Sequence, residues 1–118
     1  MLDYEGIENK LHSICEEYSD ILGLVILFGS FSRREASEQS DIDLLYIEPV
    51  SMDMTTSKLW KNRRYKEFQY NLFENFPQEF DLLAYGGKRD VESMKKTPLW
   101  KQIVNDGVTI YDQRSKAL

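Results

Sequence analysis

The chain has 118 residues and one cysteine, Cys15, and it carries a formal charge of −5. That size suits one domain over residues 1–118 with a core of its own, and a lone cysteine excludes an intrachain disulfide. The acidic balance argues against a non-specific nucleic-acid binder, which needs clustered Lys and Arg for phosphates, and it suits a protein that collects divalent cations.

No apolar run approaches the roughly 18 residues of a membrane span. The opening Met1-Leu2-Asp3-Tyr4-Glu5 lacks the basic start and apolar stretch of a signal peptide. The expectation is a cytoplasmic protein with no membrane and no direct nucleic-acid contact.

Residues 3–21 read as a helix. Ile7, Leu11, Ile14, Tyr18 and Ile21 are spaced by 4, 3, 4 and 3, which sets them on one face. His12 lies off that stripe and is expected in solvent, while Cys15 borders it as a small core residue. Leu24-Val25-Ile26-Leu27-Phe28 is a continuous apolar run of strand length, as in a strand covered on both faces. It stops at Gly29-Ser30. Ser32 to Ala36 predicts a short helix, with Ser32 as its N-cap and Glu35 completing a capping box. A polar loop leads to a second strand, Asp41 to Ile47.

Residues 55–75 read as a long helix with Trp60, Phe68, Leu72 and Phe73 on its apolar side. Its basic run, Lys61 to Lys66, is expected to be a solvated face. Pro77 ends it. Phe80 to Tyr85 is a third strand. Residues 98–106 form a helix with Leu99, Ile103 and Val104 inward and Gly107 at its C-cap. Val108 to Tyr111 is a late strand, expected at a sheet edge. The order implies an α/β (α+β) fold, a small mixed sheet flanked by helices.

Three features carry chemistry. An apolar strand ends in Gly29-Ser30, where backbone N–H groups and a hydroxyl suit an anion such as a triphosphate. Asp41 and Asp43 are two apart beside apolar neighbours, so on a strand they share a face and repel each other. Mg²⁺, which takes hard oxygen ligands and retains water and phosphate in its shell, relieves that repulsion. Asp81 interrupts the third strand and supplies a third carboxylate, able to serve a two-metal site and to act as base. Glu79 competes for that role. Each feature alone is weak: a strand-to-helix turn, a solvent-facing strand end and an edge-strand charge are the ordinary explanations. Their combination, Gly-Ser, ten residues, Asp-x-Asp, then a later strand acid, is much rarer.

The segment from Phe28 to Leu45 resembles the minimal nucleotidyltransferases of the DNA polymerase beta-like superfamily. Gly29, Ser30, Arg33, Ala36, Ser40, Asp41, Asp43 and Leu44 match the family pattern. Arg34 departs from it, standing where the family has glycine. The resemblance implies a polymerase-beta-palm-like fold and two Mg²⁺ ions on Asp41, Asp43 and Asp81. It also implies nucleotide binding by Gly29, Ser30, Arg33 and Ser40, with ATP as substrate. Many proteins of this kind are antitoxins paired with a HEPN-domain toxin. The implied reaction is transfer of AMP to a hydroxyl, a tyrosine above all, of that partner in a hetero-oligomer. Two alternatives stay open: transfer to a small hydroxylated molecule such as an aminoglycoside, and a catalytically idle antitoxin that acts by binding, using Trp60, Tyr65, Phe68, Tyr70 and Phe73.

Overall fold

The structure, a computed structural model, describes residues 2–48, 63–86 and 88–113. In chain order the elements are α1 (Tyr4–Glu17), β1 (Leu24–Phe28), β2 (Ile42–Ile47), α2 (Arg63–Asn75), β3 (Phe80–Tyr85), α3 (Lys88–Met94), α4 (Pro98–Asp106) and β4 (Val108–Asp112).

α1 begins where the Asp3 carboxylate accepts the Gly6 N–H at 2.9 Å, satisfying one of the orphan donors of the first turn. The helix is shorter than its stripe predicts. It ends at Glu17, and Tyr18 to Ile21 follow as turns that keep Tyr18 and Ile21 buried. α4 begins at Thr97, whose hydroxyl accepts the Trp100 N–H, with Pro98 in the first turn where a missing N–H costs nothing.

The strands lie in the order β3-β2-β1-β4. β1 pairs antiparallel with β2 and β4, and β2 pairs parallel with β3. The sheet is mixed, as expected, and β4 sits at an edge. Its two faces bury different sets of residues. Val25, Leu27, Ile42, Leu44 and Tyr46 pack with α1 and α2 residues including Leu11, Ile14, Phe68 and Leu72. Ile26, Leu45 and Ile47 pack with Met94 of α3 and Ile103 of α4. Coverage on both sides explains why β1 reads as an unbroken apolar run.

Several expectations are corrected. Ser32 to Ala36 forms a turn through Arg34 and then irregular chain, not a helix: Ser32 donates its hydroxyl to the Gly29 carbonyl at 2.8 Å, and Glu35 pairs with Arg33 instead of closing a capping box. Leu99 and Val104 do not both point inward. Val104 is 60% exposed and Leu99 36%, so Ile103 alone of the three is buried. Phe73 is also exposed, while Tyr65, not counted in the apolar side, is buried. His12 is exposed, as expected, and is also bonded, with Nδ1 2.8 Å from the Ile110 carbonyl and Nε2 3.1 Å from Glu16. The first part of the helix expected over 55–75, including Trp60 and Lys61, lies outside the described residues.

Within the basic run, Arg64 is a clamp between α2 and the end of α1. It meets Asp20 through two nitrogens at 3.0 and 3.1 Å, reaches the Glu17 carbonyl, and lies over the Tyr18 ring. Arg63 and Lys66 are exposed, as a solvated face requires.

Candidate active site

The site forms at one end of the sheet, where β1 gives way to a turn. Asp43 of β2 stands opposite Phe28 on one side and opposite Asp81 of β3 on the other. Side chains alternate along a strand, so Asp43 shares its face with Leu45 and Ile47, and Asp81 shares its face with Leu83 and Tyr85. Those neighbours belong to the α3/α4 side. Both carboxylates therefore emerge on that face, one residue across from each other in a parallel register.

The electrostatics follow from this register. Burial raises the Asp43 carboxyl above the ordinary carboxylate range, and the negative charges of Asp81 and then Asp41 raise it further. The Arg33 guanidinium opposes them. Asp41 lies just before β2 and is exposed, as is Asp81, while Asp43 is half-buried. Glu79 precedes β3, its side chain is exposed, and its carbonyl accepts the Ile42 N–H at 2.8 Å. Of the acids at the start of β3, it is Asp81 whose charge raises the Asp43 carboxyl.

The turn after β1 is shaped by a glycine. Gly29 adopts φ +75°, a region that favours glycine, and a Cβ built there would lie 2.2 Å from the Asp43 Oδ2. The turn closes through Arg33 N–H to the Gly29 carbonyl and Glu35 N–H to the Ser30 carbonyl. Phe31 anchors it in the core against Tyr4. The Tyr4 hydroxyl is 3.1 Å from both the Ala36 carbonyl and the Ala36 N–H. Arg34 has φ +58°, the left-handed region, and turns its side chain to Glu8 at 3.2 Å and over the Tyr4 ring. Ser40 accepts the Ser37 N–H at 2.9 Å and so braces the loop ahead of Asp41.

Of the residues singled out from sequence, Gly29, Asp43 and Asp81 are brought together by packing and register, with Asp41 and Arg33 close enough to act on Asp43 through charge. Ser30 lies in the turn, and Ser40 serves the loop. Sequence reasoning missed Phe31 and Tyr4 as supports. It also missed a cleft of about 250 Å³ lined by Phe28, Gly29, Arg33, Leu99, Gln102, Ile103 and Asp106. The spacing of the last four along one helix was a readable signal.

Among the described residues, no three His, Cys, Asp or Glu side chains are gathered into a ready-made cage. The donor set nevertheless fits a hard cation: all oxygens, on adjacent strands, with the charge of each acid penalising its neighbour.

The family profile described as "Polymerase beta, Nucleotidyltransferase" matches residues 9–116. No curated protein matches the chain. Among solved structures, the chain is similar to a chain of a toxin–antitoxin complex with AMP-PNP, at 22% identity and TM-score 0.58, over 92% of this chain and 76% of the other. It is also similar to a chain of a tri-AMPylated Shewanella oneidensis HEPN toxin in complex with MNT antitoxin, at 20% identity and TM-score 0.55, over 97% and 76%. A mutant MntA-HpeT toxin–antitoxin structure matches at 20% identity and TM-score 0.55, over 92% and 75%.

Proposed function

Because the chain belongs to the polymerase beta nucleotidyltransferase family, we propose that this nucleotidyltransferase moves AMP from ATP to a hydroxyl of a partner HEPN toxin, a tyrosine above all, and thereby acts as an antitoxin. The observation that carries the reading is the register of Asp43 against Asp81 beside the Gly29 turn. The likeness to a fold seen with AMP-PNP, and to one seen with a tri-AMPylated toxin, supports the nucleotide and the partner.

In this reading the acceptor oxygen bonds to the α-phosphorus, the bond from that phosphorus to the bridging oxygen breaks, and pyrophosphate leaves with the electron pair. Asp81, exposed at the mouth of the site, takes the proton of the acceptor hydroxyl. Asp41, Asp43 and Asp81 would hold two Mg²⁺ ions, which neutralise phosphate charge and lower the pKa of the acceptor hydroxyl. Gly29 and Ser30 bring backbone and hydroxyl close to the triphosphate, and Arg33 adds a cation beside it. Ser40 acts by holding the loop that leads to Asp41. Tyr70 and Phe73, exposed on α2, offer the aromatic surface that protein interfaces enrich.

The test uses the purified chain with Mg²⁺, each labelled NTP and a candidate HEPN partner, read by intact mass. The expected result is an AMP-sized gain on the partner, abolished in the Asp41→Ala, Asp43→Ala double variant. A stable complex that gains no mass would make this an antitoxin by binding alone. A gain on an aminoglycoside instead would redirect the acceptor.

A further inference from the structure

We propose that the cleft between the Gly29 turn and α4 is the nucleoside pocket and that Gln102 selects adenine. The inference rests on the NTP-dependent reading above and extends it to the base.

The cleft adjoins the acid site through Gly29. Gly29 and Arg33 line it, and Gly29 is the residue whose missing Cβ leaves room for Asp43. Among the described residues, this cleft is a place that a nucleotide whose phosphates lie along that turn can reach with its sugar and base. At about 250 Å³ the cleft falls below the roughly 300–1,000 Å³ of pockets that enclose drug-sized ligands. A base with its ribose suits that space better than a multi-ring aminoglycoside.

Its lining suits a base. Phe28, Leu99 and Ile103 give apolar walls, and Gln102 and Asp106 give polar groups. Leu99, Gln102, Ile103 and Asp106 fall at i, i+3, i+4 and i+7 of α4, a single helix face. That face is not used up by the core. Ile103 is buried, but Leu99 is 36% exposed and Gln102 is exposed, so an apolar surface remains to be covered beside a free carboxamide edge. Gly107 keeps α4 close to the sheet: a Cβ there would lie 2.4 Å from the Ile103 carbonyl and 2.6 Å from Ile26 Cγ2.

The polar pair points to adenine. A carboxamide presents an N–H donor beside a carbonyl acceptor along one edge, matching the ring nitrogen and amino group that adenine presents side by side. A carboxylate only accepts, so Asp106 welcomes an amino group and repels the O6 carbonyl that guanine has in its place.

The experiment measures equilibrium binding of ATP, GTP, CTP, UTP and inorganic tripolyphosphate in Mg²⁺ by calorimetry. The proteins are wild type, Gln102→Ala and Leu99→Trp, each checked for folding by circular dichroism. ATP is expected to bind about tenfold tighter than GTP, and Gln102→Ala to remove about tenfold of ATP affinity together with the preference. Leu99→Trp should fill the cleft and weaken every nucleotide while leaving tripolyphosphate unchanged. If nucleotides bind no tighter than tripolyphosphate, or if the base preference survives Gln102→Ala, the pocket is overturned while the transferase reading stands. If neither nucleotide nor tripolyphosphate binds, the transferase reading falls and the pocket with it.

Discussion

A Cβ on Gly29 would lie 2.2 Å from the Oδ2 of Asp43, so the turn after β1 and the acid on β2 occupy one another's side-chain space. The φ of +75° adds a second demand for glycine at the same position. Gly29→Ala must therefore displace either the turn or the carboxylate. An ångström of misplacement in a catalytic site can cost about 100-fold in rate, and that is the expected loss of nucleotidyl transfer. Stability should fall by about 1 kcal/mol or more, because alanine is strained at positive φ. Single-turnover kinetics and chemical denaturation measure the two effects. Wild-type transfer by the variant would show that the contact does not hold Asp43 in place.

The Asp43 carboxyl illustrates a site held at a cost in stability. Its folded pKa lies above the ordinary 3.8, through burial and the charges of Asp81 and Asp41. Between the two values the folded chain binds more protons than the unfolded one, so stability falls as pH rises through that window and stays lowered above it. Asp43→Asn removes the charge with little change of shape. In chelator at neutral pH the variant should melt above wild type, and the gap should close on acidification below 3.8. Adding Mg²⁺ should raise the wild-type Tm more than that of the variant, while transfer is lost only in the variant. A variant that melts below wild type in chelator at neutral pH would show that repulsion does not govern this site.

Much of this was legible because the signals were local. β1, β3 and α4 fall where composition puts them: apolar runs stopped by Gly, and an amphipathic stretch with a glycine stop. The acids Asp43 and Asp81 were readable as motif members. Their register was not, because alignment between strands more than thirty residues apart is decided by tertiary packing. α3 went unread: in seven residues, four of them charged, only Val91 and Met94 mark an apolar side, too short a stretch for periodicity. The expected helix over Ser32 to Ala36 failed for a related reason. A capping box predicts a helix only if the chain is free to continue one, and here Phe31 is drawn into the core while Arg34 takes a left-handed conformation.

Tyr46 separates folding from function. Its buried hydroxyl donates to the Ile21 carbonyl at 2.5 Å, and its ring stacks on Tyr65 with centroids 5.2 Å apart. Tyr46→Phe keeps the ring and removes the donor from a buried acceptor, which costs about 1–3 kcal/mol. It lies on the α1/α2 side of the sheet, opposite to the acids. Denaturation should therefore show the loss, and transfer by the folded fraction should be unchanged. A fall in transfer beyond the folded fraction would mean that this face of the sheet is coupled to the site.

Arg34 stands where the family has glycine, and its φ of +58° shows that the backbone keeps the conformation for which glycine is suited. A non-glycine residue in that region is strained by about 1–2 kcal/mol. The side chain offsets part of this through an exposed pair with Glu8, worth about 0–1 kcal/mol, and through contact with the Tyr4 face, worth about 0.5–1 kcal/mol. Arg34→Gly removes the strain and both contacts, so its stability should stay within about 1 kcal/mol of wild type. Arg34→Val loses the contacts and places a β-branched residue where it is least tolerated, so it should fall about 2 kcal/mol below Arg34→Gly. The guanidinium turns toward α1, so triphosphate affinity should be the same in wild type and Arg34→Gly. Denaturation of the three proteins, with tripolyphosphate binding alongside, decides the matter. Equal stability of the valine and glycine variants would show that the loop does not require a left-handed residue. A loss of triphosphate affinity in the glycine variant would place Arg34 in the binding site after all.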